Sequence, residues 1–453
     1  MDKPIMTKSA IKYTIKQLFK IANPKQNLKY DIYIKSKEKK VTISFKEGVD
    51  NKTFTFNLVD DKDWYNLLEG KPNILNWVYN AKCTYKIPIL FWKDNQLQFA
   101  NFANDGEVIF NADIISSSFF MLSRWEEKYS TDLDIHSRFK YENSVAFKYK
   151  FINIPVVDEY AMILRKYLQM LFPNINLGNN KFRVKLSHDI DNIRRFEDLN
   201  QTIRTLMGDL LKSKSISLFK KSLLEYKHSF NNPEKDPYFL AVYKLAQLSK
   251  DNAMDSAFYF KTANKSKYDS GYTIDEYVKK CIFNLKEKGF EVGFHPGYST
   301  FQNYDKLIQE KEILDNILGY TKYGGRQHYL RFDVNTTWNY WEKAGLEYDS
   351  TLGYAEQEGF RCGTCHAFRP FDINGDRELN IIEIPLIAME GTLQSYRKLT
   401  TEEGLRSILD LADKCKEVEG VFTLLWHNTS LYRGWEHWVE DVYKTFLRYK
   451  PYW

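Results

Sequence analysis

Two aspartates one residue apart, Asp189 and Asp191, lie in LSHDID (Leu186 to Asp191), and three more segments carry histidines in a similar setting. These are VGFHPGY (Val292 to Tyr298), RQHYLRF (Arg326 to Phe332) and LLWH (Leu424 to His427). Each carries a histidine or aspartate where a β-strand should stop. His188, His295, His328 and His427 are four of the eight histidines in the chain. Carboxylate and imidazole are donors that suit zinc and neighbouring divalent metals. Such a metal lowers the pKa of water and polarises a carbonyl, which hydrolysis of an acetyl amide or ester needs at neutral pH. One aspartate can hold metal while the other takes the proton of water. His295 precedes Pro296-Gly297, a turn that fixes the ring. Arg326 can pin a carboxylate bidentately and keep it ionised. His427 can protonate a leaving amine.

Residues this far apart meet only if a fold gathers strand ends. From Phe182 onward, strand and helix patterns alternate with short connections. Strands are expected at Phe182–Ser187, Ser256–Phe260, Phe290–Phe294, Tyr329–Phe332, Leu346–Thr351, Ile381–Ile387 and Val421–Trp426. Helices are expected at Pro237–Lys250, Thr273–Lys288, Tyr304–Leu318, Thr336–Ala344, Thr401–Val418 and Trp435–Tyr449, after a basic helical region that runs through Lys227. Alternation of this kind predicts an α/β fold: a parallel sheet with crossover helices, closed into a distorted (β/α) barrel. The C-terminal strand ends of a barrel share one mouth, where chemistry is built. The preceding part is mixed. Strands are expected at Lys29–Lys35, Lys40–Phe45 and Thr53–Leu58, and helices at Ala112–Glu127 and Val156–Leu171. The polar, turn-rich stretch Asn174–Lys181 is a plausible boundary. Two domains follow: a smaller α+β domain over 1–178, with no catalytic constellation, and the barrel over 179–453.

Composition narrows the classes. With 43% hydrophobic and 27% charged residues, the chain is globular and not disordered. A net charge of +6, with both signs interspersed, is no nucleic-acid footprint. The N-terminus lacks the apolar core of a signal peptide, and no apolar run is long enough to span a membrane. Five scattered cysteines, an odd number, suit a reduced cytoplasmic protein.

The four segments, in this order, resemble the motifs of the polysaccharide deacetylases, carbohydrate esterase family 4. LSHDID stands in the place of the first motif, HPGYS of the second, RQHY of the third and LLWH of the last. The resemblance covers roughly 182–430. It implies a metal-dependent N-deacetylase acting on an N-acetylated saccharide, with zinc as the expected metal. It implies that Asp191 and His295 bind metal, Asp189 is the base, Arg326 orients that base and His427 is the acid. The Tyr329 backbone N–H would help to stabilise the oxyanion. The second motif has Ser299 where its second metal histidine should stand. His328, at the position of the third-motif proline, is the expected third ligand, with His188 as the other candidate. For the motif that tunes the acid histidine, Asp349 and Glu383 are the candidates. A catalytically inactive, glycan-binding module is the alternative, and Ser299 supports it.

Plainer roles exist for each feature. A strand-end histidine is commonly satisfied by a backbone carbonyl, D-x-D suits a turn, and Arg326 can be a surface arginine. Cys362-Gly-Thr-Cys365-His366 matches a haem-attachment pattern in the wrong context, and a Cys/Cys/His zinc site there lacks an obvious fourth ligand. The segment is expected as a loop near the barrel mouth, with Arg361 and Arg369 available to substrate. Trp426, Tyr329 and Trp338 are most simply core aromatics, Trp426 being the best placed to stack on a sugar.

Overall fold

The computed structural model describes residues 4–46, 52–70, 75–77, 86–92, 98–104, 106–212, 215–432 and 434–449; Cys83 lies outside them. In Lys40–Phe45, Val41, Ile43 and Phe45 are buried and their neighbours half-exposed. That period of two marks a sheet with one covered face. The strand is one of five, ordered Tyr30–Lys35, Lys40–Phe45, Lys52–Asn57, Glu107–Phe110, Ala100–Asn104, with only the central 52–57/107–110 pair parallel. Helices Lys8–Ala22 and Val156–Leu171 bring rings against it: Phe19 lies 4.6 Å from Tyr30, and Tyr167 lies 5.2 Å from Phe110.

The expected helix Ala112–Glu127 is interrupted. It forms Ile114–Leu122 and Trp125–Lys128, with Arg124 left-handed at φ 53° between them. The break lets the fully buried Arg124 guanidinium reach Glu126 and Glu127, both at 2.7 Å. Pairing offsets the cost of burying that charge, and the strained residue is kept within it.

From residue 183 the architecture is α/β. Parallel strands are ordered Glu291–Phe294, Asp255–Phe260, Arg183–Ile190, Val421–Leu425, Ala388–Met389. Their near-continuous burial is what a parallel sheet covered on both faces requires. Gly325 bridges Phe294 to Asp349, which leads to the pair Tyr348–Asp349 and Ile382–Glu383. A Cβ at Gly325 would overlap the Phe294 carbonyl oxygen, so only glycine lets these backbones approach. The stretch 382–389 then crosses between sheet edges: the Ile384 N–H donates to the Asp349 carbonyl at 2.8 Å, and the Ile387 N–H to the Thr423 carbonyl at 3.1 Å.

Tyr329–Phe332 is not a strand. Gly325 holds the strand position, and His328–Leu330 is a single turn with Tyr329 at φ 62° and Leu330 at φ 53°. The apolar rhythm of YLRF therefore belongs to a turn.

The two parts share one continuous hydrophobic core. The Cys362–His366 segment lies at their junction. The Cys365 N–H donates to Asp158 Oδ2 at 2.8 Å, and Arg361 makes two contacts to Glu127, at 2.9 and 2.7 Å. Arg361 is 2% exposed, and Arg369 is engaged by Asn380, so neither is held out for a substrate. Breaking the buried Glu127–Arg361 pair should cost roughly 3–5 kcal/mol, against under about 1 kcal/mol for the exposed Lys16–Glu378 pair at 2.7 Å.

Candidate metal centre

Strand alternation explains why D-x-D works. Along Arg183–Ile190, successive side chains point to opposite faces. Ser187, Asp189 and Asp191 share one face; Leu186, His188 and Ile190 share the other. Register aligns the neighbours. Ile190 pairs with Phe260, and Phe260 with Phe294, so Asp191, Lys261 and His295 each stand one step past a paired residue.

Three donor atoms meet there. His295 Nε2 lies 3.0 Å and His328 Nε2 3.1 Å from Asp191 Oδ1. Asp191, His295 and His328 form a group able to hold a metal ion. The other ring nitrogens are committed: His295 Nδ1 to the Arg326 carbonyl at 2.7 Å, and His328 Nδ1 to Asp269 Oδ1 at 2.7 Å. Such partners fix ring orientation and tautomer, as metal-ligating histidines require. The donor set and its spacing thus fit a divalent ion.

Charges around the group are balanced. Burial opposes ionisation of Asp191, yet Lys261 and His328 outweigh it and hold its carboxyl well below the usual range. Burial likewise opposes ionisation of Asp269, and the His328 hydrogen bond and charge overcome it, bringing its pKa to about 2.

Asp189 is held by Arg326, which is fully buried. Arg326 Nη1 donates to Asp189 Oδ1 at 2.9 Å and to Ser187 Oγ at 3.0 Å, while Nε and Nη2 donate to the carbonyl and hydroxyl of Ser350. The expected bidentate clamp is therefore a single N–H on the carboxylate. The remaining donors are spent on serine oxygens because Ser350 follows the strand Tyr348–Asp349, which Gly325 bridges. Arg326 is no surface residue.

His427 follows the strand Val421–Leu425. Its Nδ1 lies 2.7 Å from Glu390 Oε1, and its Nε2 lies 3.6 Å from Asp191 Oδ2. Burial would lower its pKa, but the Glu390 charge and hydrogen bond raise it to about 10. Glu390, and not Asp349 or Glu383, is thus the partner of this histidine. Asp349 is turned to Thr351, and Glu383 to Trp338 and the Leu352 N–H.

His188 is not part of the group. It faces the other side of the sheet, fully buried, with Nδ1 2.7 Å from the Trp426 carbonyl and its ring 4.7 Å from Phe258. Burial pushes its pKa down to about 4. Ser299 is exposed, and its hydroxyl accepts from Lys306. Trp426 is fully buried 4.5 Å from Tyr443, so it is core and not a sugar platform.

A cavity of about 410 Å³ opens onto Asp189, Asp191, His295, His328 and His427. Tyr268, Tyr329 and Tyr396 also line it, as does Arg138 from the N-terminal part. Arg138 donates to the Tyr329 carbonyl at 3.1 Å and pairs with Asp134 and Glu356, both at 2.7 Å. The His136 ring lies 4.8 Å from that of Tyr329, tilted by 52°, and its carbonyl accepts from Arg331 at 2.8 Å. Among the described residues, none accepts a hydrogen bond from the Tyr329 N–H.

Sequence reasoning missed Lys261, Asp269, Glu390, His136 and Arg138. Lys261 had a signal, since it ends the strand DSAFYF as His295 ends its own. The others lie in connections without periodicity. A second metal-capable group, Asp158, Cys365 and His366, occupies the junction between the two parts. There the Asp158 carboxyl already accepts from Thr364 Oγ1, the Cys365 N–H and the Cys365 thiol.

Comparison with known proteins finds a family model that matches part of the chain and a distant likeness to a solved structure. Residues 3–173 match the model of a family of unknown function, DUF7033. No curated protein matches. A crystal structure described as a "putative polysaccharide deacetylase from Mycobacterium smegmatis" is similar with a TM-score of 0.39 and 13% identity, over 60% of this chain and 85% of that one. That likeness is too distant to bear on function. No helix among the described residues is long and apolar enough to cross a membrane.

Proposed function

We propose that the chain is a divalent-metal-dependent hydrolase, with zinc the metal of choice, that removes the acetyl group from an N-acetylated sugar of a polysaccharide or its precursor. The reading includes a distorted (β/α) barrel over 179–453, an N-terminal α+β domain over 1–178 and a cytoplasmic setting. The observation that carries it is the convergence, at one cavity, of the Asp191–His295–His328 group with an arginine-held carboxylate and a glutamate-held histidine.

In this reading Asp191, His295 and His328 hold the ion, which when bound polarises the acetyl carbonyl and acidifies water. Asp189 takes the proton of the attacking water. Arg326 keeps that carboxylate oriented through Oδ1 and leaves Oδ2 for the proton. The Tyr329 N–H donates to the oxyanion as it forms. His427, kept protonated by Glu390, delivers its Nε2 proton to the departing amine. The three tyrosines of the cavity wall supply flat faces for a sugar.

The test is zinc content and acetate release measured together. His328→Ala and His295→Ala should lose bound zinc and activity, while His188→Ala should keep both. Zinc retained in His328→Ala and lost in His188→Ala would reverse the ligand assignment. The second reading, an inactive glycan-binding module, is favoured by the Lys261 ammonium beside the would-be ligands and by the exposed Ser299. It expects saccharide binding without stoichiometric zinc or acetate release.

A further inference from the structure

Lys261 is a buried cation that the mechanism above does not use. Its side chain is 1% exposed. It follows the strand Asp255–Phe260 directly, and its backbone N–H donates to the Tyr272 hydroxyl at 2.9 Å, which anchors its place in the row of strand ends. Its Nζ lies 3.3 Å from Asp191 Oδ1, 3.3 Å from His328 Nε2 and 3.9 Å from Asp269 Oδ1. Two of those atoms belong to the proposed ligand group, and the third fixes the His328 ring. The two shorter separations are close to those among the ligand atoms themselves, 3.0 and 3.1 Å. The ammonium therefore crowds two of the three donor atoms that would hold the ion.

Two consequences follow from charge alone. Asp191 and Asp269 already share a counter-ion without metal, so part of their negative charge is offset in the protein as it folds. A dication entering the same group would face that ammonium at short range, in surroundings that screen poorly.

We propose that Lys261 is the resident counter-ion of the site and competes with the metal for Asp191 and His328, so that the centre fills only when metal displaces the ammonium. The inference rests on the metal-centre reading above. Metal occupancy then becomes a set point of this chain, weaker than its three ligands alone would give.

Calorimetric titration of zinc chloride into the full-length, chelator-stripped protein at one fixed pH tests it. Lys261→Met should bind zinc at the same stoichiometry and at least about tenfold more tightly than the wild type, and Lys261→Gln should behave likewise. Unchanged or weaker binding in both overturns the inference, and weaker binding would make the lysine a helper of the metal. His295→Ala is the control. If the wild type and Lys261→Met bind no zinc, or if His295→Ala binds as the wild type does, the metal-centre reading itself fails and takes this one with it. Should neither lysine variant fold, crystals of the wild type with and without zinc decide. Lys261 Nζ should leave Asp191 on zinc loading; contact kept in both forms overturns the inference.

Discussion

Arg326 Nη1 donates to Asp189 Oδ1 at 2.9 Å inside a fully buried setting, while the same guanidinium is tied to both oxygens of Ser350. The arginine cannot follow the carboxylate if it moves, so Asp189 is held in one orientation beside the metal group. Asp189→Asn keeps this shape and removes the proposed base. It should retain zinc while losing about 10²–10⁴-fold in turnover, the usual worth of a positioned base. Zinc loss equal to that of Asp191→Asn, read by elemental analysis, would mean that the two aspartates are exchanged.

Why this pair was legible in the sequence, and Lys261 was not, is a matter of chemistry and not of fold. The expected strands around residues 183–190, 255–260, 291–294 and 421–425 are present to within a few residues, because buried parallel strands leave short runs rich in apolar residues. A histidine or aspartate at the end of such a run stands out; a lysine does not, since lysines end strands everywhere on protein surfaces. The turn at His328–Leu330 was illegible for another reason. Its positive φ values at Tyr329 and Leu330 rest on contacts from Arg138 and His136, nearly two hundred positions earlier. Glu390 lies just past the two-residue strand Ala388–Met389, too short to show a pattern.

The Glu390 contact makes a pH prediction. It lifts the His427 pKa to about 10, so the proposed acid stays protonated through neutrality, and turnover should fall only as pH rises toward that value. Glu390→Gln removes the charge and should bring the alkaline limb down toward the ordinary histidine range, near about 6.5. His427→Asn should slow N-acetyl hydrolysis strongly and an activated aryl acetate much less. Equal slowing of amide and ester would leave His427 a structural or oxyanion-binding role.

His188 predicts a stability effect with no catalytic counterpart. Its pKa is about 4 in the fold against roughly 6.5 when unfolded. Between those values the unfolded chain binds more protons, so stability is full above about pH 6.5 and falls as pH drops toward 4. The loss from this group is on the order of 3 kcal/mol at the acid end. His188→Asn can still donate to the Trp426 carbonyl and should flatten that part of the denaturation profile. An unchanged acid slope would show that His188 is not the titrating group.

Arg138 ties the N-terminal part to the cavity wall through the Tyr329 carbonyl. Arg138→Met should leave zinc content intact and lower kcat/KM roughly 10–100-fold, because a small displacement of a substrate-positioning turn is costly. Wild-type kinetics in this variant would deny the N-terminal part a role at the site.

The central claim is that Asp191, His295 and His328 hold a divalent metal. Anomalous diffraction at the zinc edge, from crystals of the full chain grown with zinc, addresses it most directly. The account predicts a peak bonded to Asp191 Oδ1, His295 Nε2 and His328 Nε2. A peak confined to Asp158, Cys365 and His366, or no ordered peak between Asp191 and the two histidines, would contradict it.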